Sequence, residues 1–173
     1  VQLPTSSSIF GIATHPGMGG KQNEDSFGAF TLERIVDRRR IGSISVCIVA
    51  DGVSSEEGSK GASQLAVDVA SEVIKDLVAS LPATPSSAEI HQLLATAVRR
   101  ADSCIKEAAR TSVNHKSMST TLVIALVIDY VLYVVHVGDS RAYLLRDQTL
   151  YRLTVDHTYV EEMISRHKLT RSQ

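Results

Sequence analysis

Several short clusters in the 173-residue chain have the residue types and spacing to do chemistry. Asn23-Glu24-Asp25 stands at the start of one apolar run, and Ala50-Asp51-Gly52 closes another, Val46–Ala50. Carboxylates emerging from buried strands sit at a sheet end, and Gly52, without a side chain, lets a carbonyl approach a ligand closely. Hard oxygen donors of this kind suit Mg²⁺ or Mn²⁺, which keep several waters and rely on few carboxylates. Asp-Gly is also an ordinary turn, and on spacing alone the turn is the stronger reading. Val137-Gly138-Asp139-Ser140-Arg141 again follows an apolar run; alone it reads as a hairpin turn with a local Asp–Arg pair. Thr154-Val155-Asp156-His157 sets a His beside an Asp, the pattern of a general base, although a surface or strand-end His is commoner. Gly17-Met18-Gly19-Gly20-Lys21 invites a phosphate-loop reading that the spacing rejects. Such a loop needs a Gly five residues before the Gly-Lys pair and a Ser or Thr after it, where this chain has His15 and Gln22.

These clusters need a scaffold, and the hydrophobic pattern supplies one. Leu122–Ile128 and Tyr130–Val137 are rich in Val, Ile, Leu and Tyr and read as a hairpin turning at Asp129, with both strands buried on both faces. The same stretch is shorter than the roughly 20 residues a membrane span needs and is broken by Asp129. Further strands are expected at Ser8–Thr14, Ser26–Leu32, Ser43–Ala50, Ala142–Arg146 and Leu150–Leu153. Ala62, Leu65, Ala66, Val69, Val73, Leu77 and Val78 recur at helical steps and predict one buried helix face. Ile90, Leu93, Leu94, Ala97, Ala101 and Ile105 predict a second, opened by a Ser86–Glu89 capping box after Pro82 and Pro85. Tyr159–Arg166 also reads as helical, while Thr5–Ser8 and the triplet Arg38–Arg40 read as solvated surface. Strands, two long helices, then four strands argue for an α+β class rather than a parallel sheet.

With 18 Lys plus Arg against 19 Asp plus Glu, the formal charge is −1, so nucleic acid or an anionic membrane has no global electrostatic hold on the chain. A content of 43% hydrophobic and 21% charged residues fits one globular domain spanning 1–173. Cys47 and Cys104 support neither a disulfide framework nor a zinc site and fit a reducing, cytoplasmic compartment. Val1 in place of Met, with no charged segment leading into an apolar one, suggests an excised piece.

In order, the motifs resemble the metal-dependent type-2C (PPM) family of serine/threonine protein phosphatases, in its bacterial-type form. Gln22-Asn23-Glu24-Asp25-Ser26, Val49-Ala50-Asp51-Gly52, Gly58-Ser59-Lys60-Gly61-Ala62-Ser63, Ser119-Thr120-Thr121, Val137–Arg141 and Leu153–His157 follow the family's order. The resemblance implies an α-β-β-α sandwich, two antiparallel sheets face to face with helices outside, and a binuclear Mn²⁺ or Mg²⁺ site at one end. It implies that Asp51 bridges both ions, that the Gly52 carbonyl binds one, that Glu24 and Asp25 hold bound waters or the ions, and that Asp139 serves a third ion. The implied chemistry is attack on a phosphoserine or phosphothreonine phosphorus by a metal-bridging hydroxide, without a phosphoenzyme.

The chain also departs from that family's pattern. Where the family usually grips phosphate with an Arg, this chain has Gly20, with Lys21 beside it as a point charge in place of a bidentate fork. Val53 follows the second Asp-Gly where some members place a general-acid His, which leaves His157 as the nearest candidate for proton transfer. The resemblance implies two further metal-binding Asp residues on strands beyond Gln173, so impaired activity of this piece is expected. The alternative is a catalytically inactive module that binds phosphoprotein. Uncovered sheet edges make dimerisation a further expectation.

Overall fold

The computed structural model describes residues 9–19, 22–53, 58–111, 118–158, 161 and 163. Three hairpins organise the strands. β1 (Asp25–Val36) turns into β2 (Arg39–Asp51), β3 (Leu122–Ile128) into β4 (Val131–Val137), and β5 (Tyr143–Arg146) into β6 (Thr149–Arg152). All pairings are antiparallel, in a four-stranded sheet of order β1-β2-β3-β4 and a two-stranded sheet β5-β6. Each hairpin turn uses two successive residues of positive φ, Asp37-Arg38, Asp129-Tyr130 and Asp147-Gln148. That backbone twist matches the twist of the flanking strands, and Asp, whose short polar side chain tolerates the left-handed region, leads each turn. Tyr130 therefore belongs to the turn, and the strand expected from Tyr130 begins at Val131.

Helices α1 (Gly58–Val78) and α2 (Ser87–Thr111) pack together on one face of the large sheet, α1 against β1, β2 and β3 and α2 against β4. The core between the layers is Ile44, Val46, Ile48 and Ala50 of β2 and Leu122, Ile124, Leu126 and Ile128 of β3, closed by Ala66, Ala70 and Ile74 of α1 and Ile90, Leu94 and Ala97 of α2. Gly28 of β1 permits this close approach: a Cβ there would lie 3.1 Å from Cγ1 of Val67. The face of α2 is the one its sequence predicts. That of α1 is rotated: Ala62, Ala66, Val67, Ala70, Ile74 and Val78 are buried, and Leu65, Val69, Val73 and Leu77 only partly so. A helix meeting both a sheet and a second helix carries a broad apolar arc, and the periodicity alone does not say which edge of it lies deepest. The capping box forms, with Ser86 N and Oγ both donating to Glu89 Oε2 at 2.8 Å and Glu89 N donating to Ser86 Oγ at 3.3 Å.

The α+β class, with two antiparallel sheets and helices, is as expected. Among the described residues both long helices lie on one face of the large sheet, and the opposite face is only partly covered. Phe27, Cys47, Val49, Val127 and Leu132 are exposed there, and β4 is half-buried or exposed throughout. Strands composed for burial on two sides thus have helical cover on one. The strand expected at Ser8–Thr14 is absent over residues 9–14, which pair with no neighbour. Without a ladder an apolar run has no reason to stay regular. This segment instead lines a cavity of about 290 Å³ with Asp25–Ala29 and Cys47–Val49. The helix expected at Tyr159–Arg166 falls outside the described residues apart from positions 161 and 163. Among the described residues no helix is long and apolar enough to cross a membrane.

Candidate metal centre

The first hairpin delivers the acidic residues. Its register sets Asp25, the first residue of β1, directly opposite Asp51, the last of β2. Both are exposed at the sheet end, and their carboxyl groups lie within hydrogen-bonding reach of each other. Partial burial pushes the Asp51 carboxyl above its ordinary pKa, and the charges of Asp25, Asp139 and Glu24 push in the same direction. Among the described residues no Lys, Arg or His forms an ion pair with any of these four.

Backbone and hydroxyl contacts hold the pair. Asp51 N donates to Thr121 Oγ1 at 3.0 Å, while Thr121 N and Thr120 Oγ1 donate to Asp51 O at 2.9 and 2.8 Å. Gly52 N donates to Glu24 O at 3.3 Å, and that carbonyl also accepts from Ser63 Oγ of α1 at 2.6 Å. Ser63 is fully buried and shares a 2.9 Å hydrogen bond with Ser26 of β1. Asp25 N donates to Asn23 Oδ1 at 3.1 Å, and Asn23 Nδ2 donates to Thr14 Oγ1 at 2.6 Å.

Asp139 lies on the turn after β4. Gly138 has φ +96°, and a Cβ there would meet Thr121 Cγ2 at 2.7 Å, so only glycine fits. Ser140 Oγ lies 2.6 Å from Thr121 Oγ1, which joins this turn to the residue that anchors Asp51. Arg141 grips Asp156 in a fork, Nε to Oδ1 at 3.0 Å and Nη2 to Oδ2 at 2.6 Å, and Arg152 donates to the same carboxylate. The Arg141 hydrogen bonds hold Asp156 below the ordinary carboxylate pKa. His157 N donates to Gly138 O at 3.0 Å, and its Nδ1 accepts from Gly138 N at 3.4 Å. The His157 ring stacks on His136 with centroids 4.4 Å apart.

The expected residues are thus brought together in part. Asp25 and Asp51 are side by side, Glu24 and Asp139 are near enough to act on Asp51 electrostatically, and Gly52 is buried next to them. Among the described residues no group of three or more His, Cys, Asp or Glu side chains converges tightly enough to hold an ion alone. Lys21 lies outside the described residues. Sequence reasoning assigned no role to Ser26, Ser63, Thr120, Thr121 or Ser140, the hydroxyls beneath the carboxylates. The available signal was polar residues at core positions, Ser63 between Ala62 and Ala66 and Thr121 just before Leu122.

Crowded carboxylates with no cationic partner among the described residues, held on a hydrogen-bonded base, offer the oxygen donors a hard divalent cation takes. Comparison with known proteins places the chain in a family. Residues 19–172 match the family profile described as Protein phosphatase 2C. The chain belongs to the protein phosphatase 2C family. It is 32% identical over 142 residues to the serine/threonine phosphatase Stp of Listeria welshimeri, covering 82% of this chain and 52% of that protein. The crystal structure of Stp1 from Staphylococcus aureus shares the fold, with a TM-score of 0.71 and 22% identity over 90% of this chain and 56% of that one. The catalytic domain of the phosphatase PstP, solved in complex with 2 manganese ions, matches with a TM-score of 0.61 and 27% identity over 86% of this chain and 63% of that one. The chain spans about half the length of the Listeria relatives it matches.

Proposed function

We propose that the protein hydrolyses phosphoserine and phosphothreonine in proteins with two Mn²⁺ or Mg²⁺ ions, a third binding at Asp139. The observation that carries this reading is the Asp25–Asp51 pair, two carboxylates set opposite each other with no neutralising side chain among the described residues, in a member of the 2C family. Asp51 and Asp25 would hold the ions with the Gly52 carbonyl and Glu24, and Lys21 would contact the phosphate. Bound there, such ions would supply positive charge and a water nucleophile of lowered pKa. The chain's own part is positional. Thr120 and Thr121 fix the backbone of Asp51, Asn23 fixes the start of β1, and Ser63 ties Glu24 to α1, so the carboxylates face each other before any ion arrives. The substrates are phosphoproteins, and the two free thiols suit a cytoplasmic setting.

The test is hydrolysis of p-nitrophenyl phosphate and of a phosphothreonine peptide by the purified protein with Mn²⁺. Asp51→Asn is expected to reduce kcat/KM by about a hundredfold or more, and an undiminished rate overturns the assignment. A second reading, a phosphoprotein-binding module without turnover, draws on the lack of a three-residue ligand group among the described residues. Phosphopeptide binding with no Mn²⁺-dependent hydrolysis selects it. The edge strands β1 and β4 also offer unpaired backbone to a second copy, and light scattering at high concentration decides that point.

A further inference from the structure

The turn that carries Asp139 is gripped by a second stretch of chain, Leu153–His157, along its length. Leu153 N donates to Ala142 O at 2.9 Å, Ala142 N donates to Thr154 Oγ1 at 3.2 Å, Arg141 forks onto Asp156, and His157 closes the grip around both backbone groups of Gly138. From there the bonding continues inward, Ser140 to Thr121 to Asp51. We propose that Asp156 and His157 are positioning residues: together they clasp the Gly138–Arg141 turn, hold Asp139 at the site, and couple it to Asp51.

Three observations carry this. First, the His157 contact with Gly138 runs in both directions, backbone N–H to carbonyl and amide to Nδ1, so the ring is oriented by the turn it touches. Stacking on His136 fixes it from the other side. Second, the Asp156 side chain is only 12% exposed, and Arg141 of the turn and Arg152 of β6 converge on it. A bidentate fork sets angle as well as distance, which a single lysine contact does not. Third, Gly138 is pinned against Thr121, so a shift of the turn is transmitted to the residue that accepts the Asp51 N–H. The catalytic consequence rests on the phosphatase reading; the clasp is a matter of geometry and is tested apart from it.

The experiment is amide hydrogen exchange by NMR on the chain and its variants, with Mn²⁺ alone as the probe of the site. In His157→Ala, exchange of the Gly138 amide is expected to rise about fivefold or more, with Ile48 in the core unchanged. His157→Asn, whose side-chain oxygen stands in for Nδ1, restores protection to within about twofold of the original. Paramagnetic broadening of the Asp139 amide is expected to need about fivefold more Mn²⁺ in His157→Ala and in Asp156→Asn. Unchanged Gly138 exchange in His157→Ala overturns the proposal. So does a His157→Asn variant that keeps Gly138 protected yet loses hydrolysis, because that result makes His157 a proton carrier. If the unaltered protein hydrolyses no phosphate ester, the phosphatase reading fails while the exchange and broadening data still decide the clasp.

Discussion

Asp25 and Asp51 are cross-strand partners in the β1–β2 ladder, so the antiparallel register sets two like charges opposite each other at the exposed end of the sheet. Like charges directly opposite destabilise a sheet, and the raised pKa of Asp51 records the same repulsion together with its partial burial. A carboxyl whose folded pKa lies above its unfolded value binds its proton more tightly in the folded state, so its contribution to stability falls as pH rises through the folded value. Without added metal, Asp51→Asn is expected to raise the thermal midpoint at neutral pH by a few degrees. The gain should shrink at high salt. The same variant should lose most of the stabilisation that Mn²⁺ gives the unaltered chain, because an ion that binds only the folded state stabilises it by mass action. Scanning calorimetry with and without Mn²⁺ reads both effects.

Gly138 should tolerate no side chain. Its φ of +96° and the 2.7 Å approach of Thr121 Cγ2 combine backbone strain with overlap. Gly138→Ala is therefore expected to cost about 3 kcal/mol in a urea denaturation series. Thr121 must shift to relieve the clash, so the surviving folded protein should also bind Mn²⁺ more weakly by titration calorimetry.

Arg34 holds the far end of the sheet. Its side chain, 4% exposed, donates to the carbonyls of Pro82 and Ala83 at 2.7 and 2.9 Å and meets Asp129 at 3.5 Å. The guanidinium thereby ties the link between the helices to β1 and to the β3–β4 turn. Arg34→Ala leaves two carbonyls without their donor and is expected to cost about 3 kcal/mol. Asp129, 62% exposed, gives a long and screened contact, so Asp129→Asn should change stability by less than about 0.5 kcal/mol. Denaturant midpoints of the two variants separate these values.

Acid should loosen the clasp. The folded pKa of Asp156 lies below its unfolded value, chiefly through the Arg141 hydrogen bonds. Its contribution to stability is present above the ordinary carboxylate pKa of about 3.9 and is lost as pH falls through the depressed folded value. Stability measured from pH about 5 downward should fall less steeply in Asp156→Asn than in the original chain.

The parts of the fold legible in the sequence are those set by local pattern. The α2 stripe buries the residues its period predicts, and its capping box depends on residues three apart, so periodicity and spacing suffice for both. Asp129 marked its turn for a similar local reason. The turns at Asp37-Arg38 and Asp147-Gln148 lack the glycine that usually announces such a backbone, and β1 and β2 run further toward their turn than their apolar centres suggest. The rotated face of α1 depends on how two layers divide one helix, which is tertiary information. At the site, the acidic residues could be picked out by type and by their place at strand ends. Their pairing could not, because it depends on register, and register depends on where the turn falls. The hydroxyls of Ser63 and Thr121 were harder still, since a lone Ser or Thr in an apolar run does not reveal which carbonyl or amide it will meet.

The register that opposes Asp25 to Asp51 also bears on the order of folding. β1 and β2 are consecutive and joined by a two-residue turn, whereas β2 meets β3 only across both helices, as in the pairing of Ile44 with Ile128. Local hairpins close in microseconds, and contacts between distant segments wait on the entropy of closing long loops. The acidic pair thus closes at the open end of a hairpin formed without β3, while the threonines that brace it arrive with the distant strand. A divalent cation present during refolding would therefore meet its first two carboxylates before their support is in place, and could speed the folding step itself as well as stabilise its product.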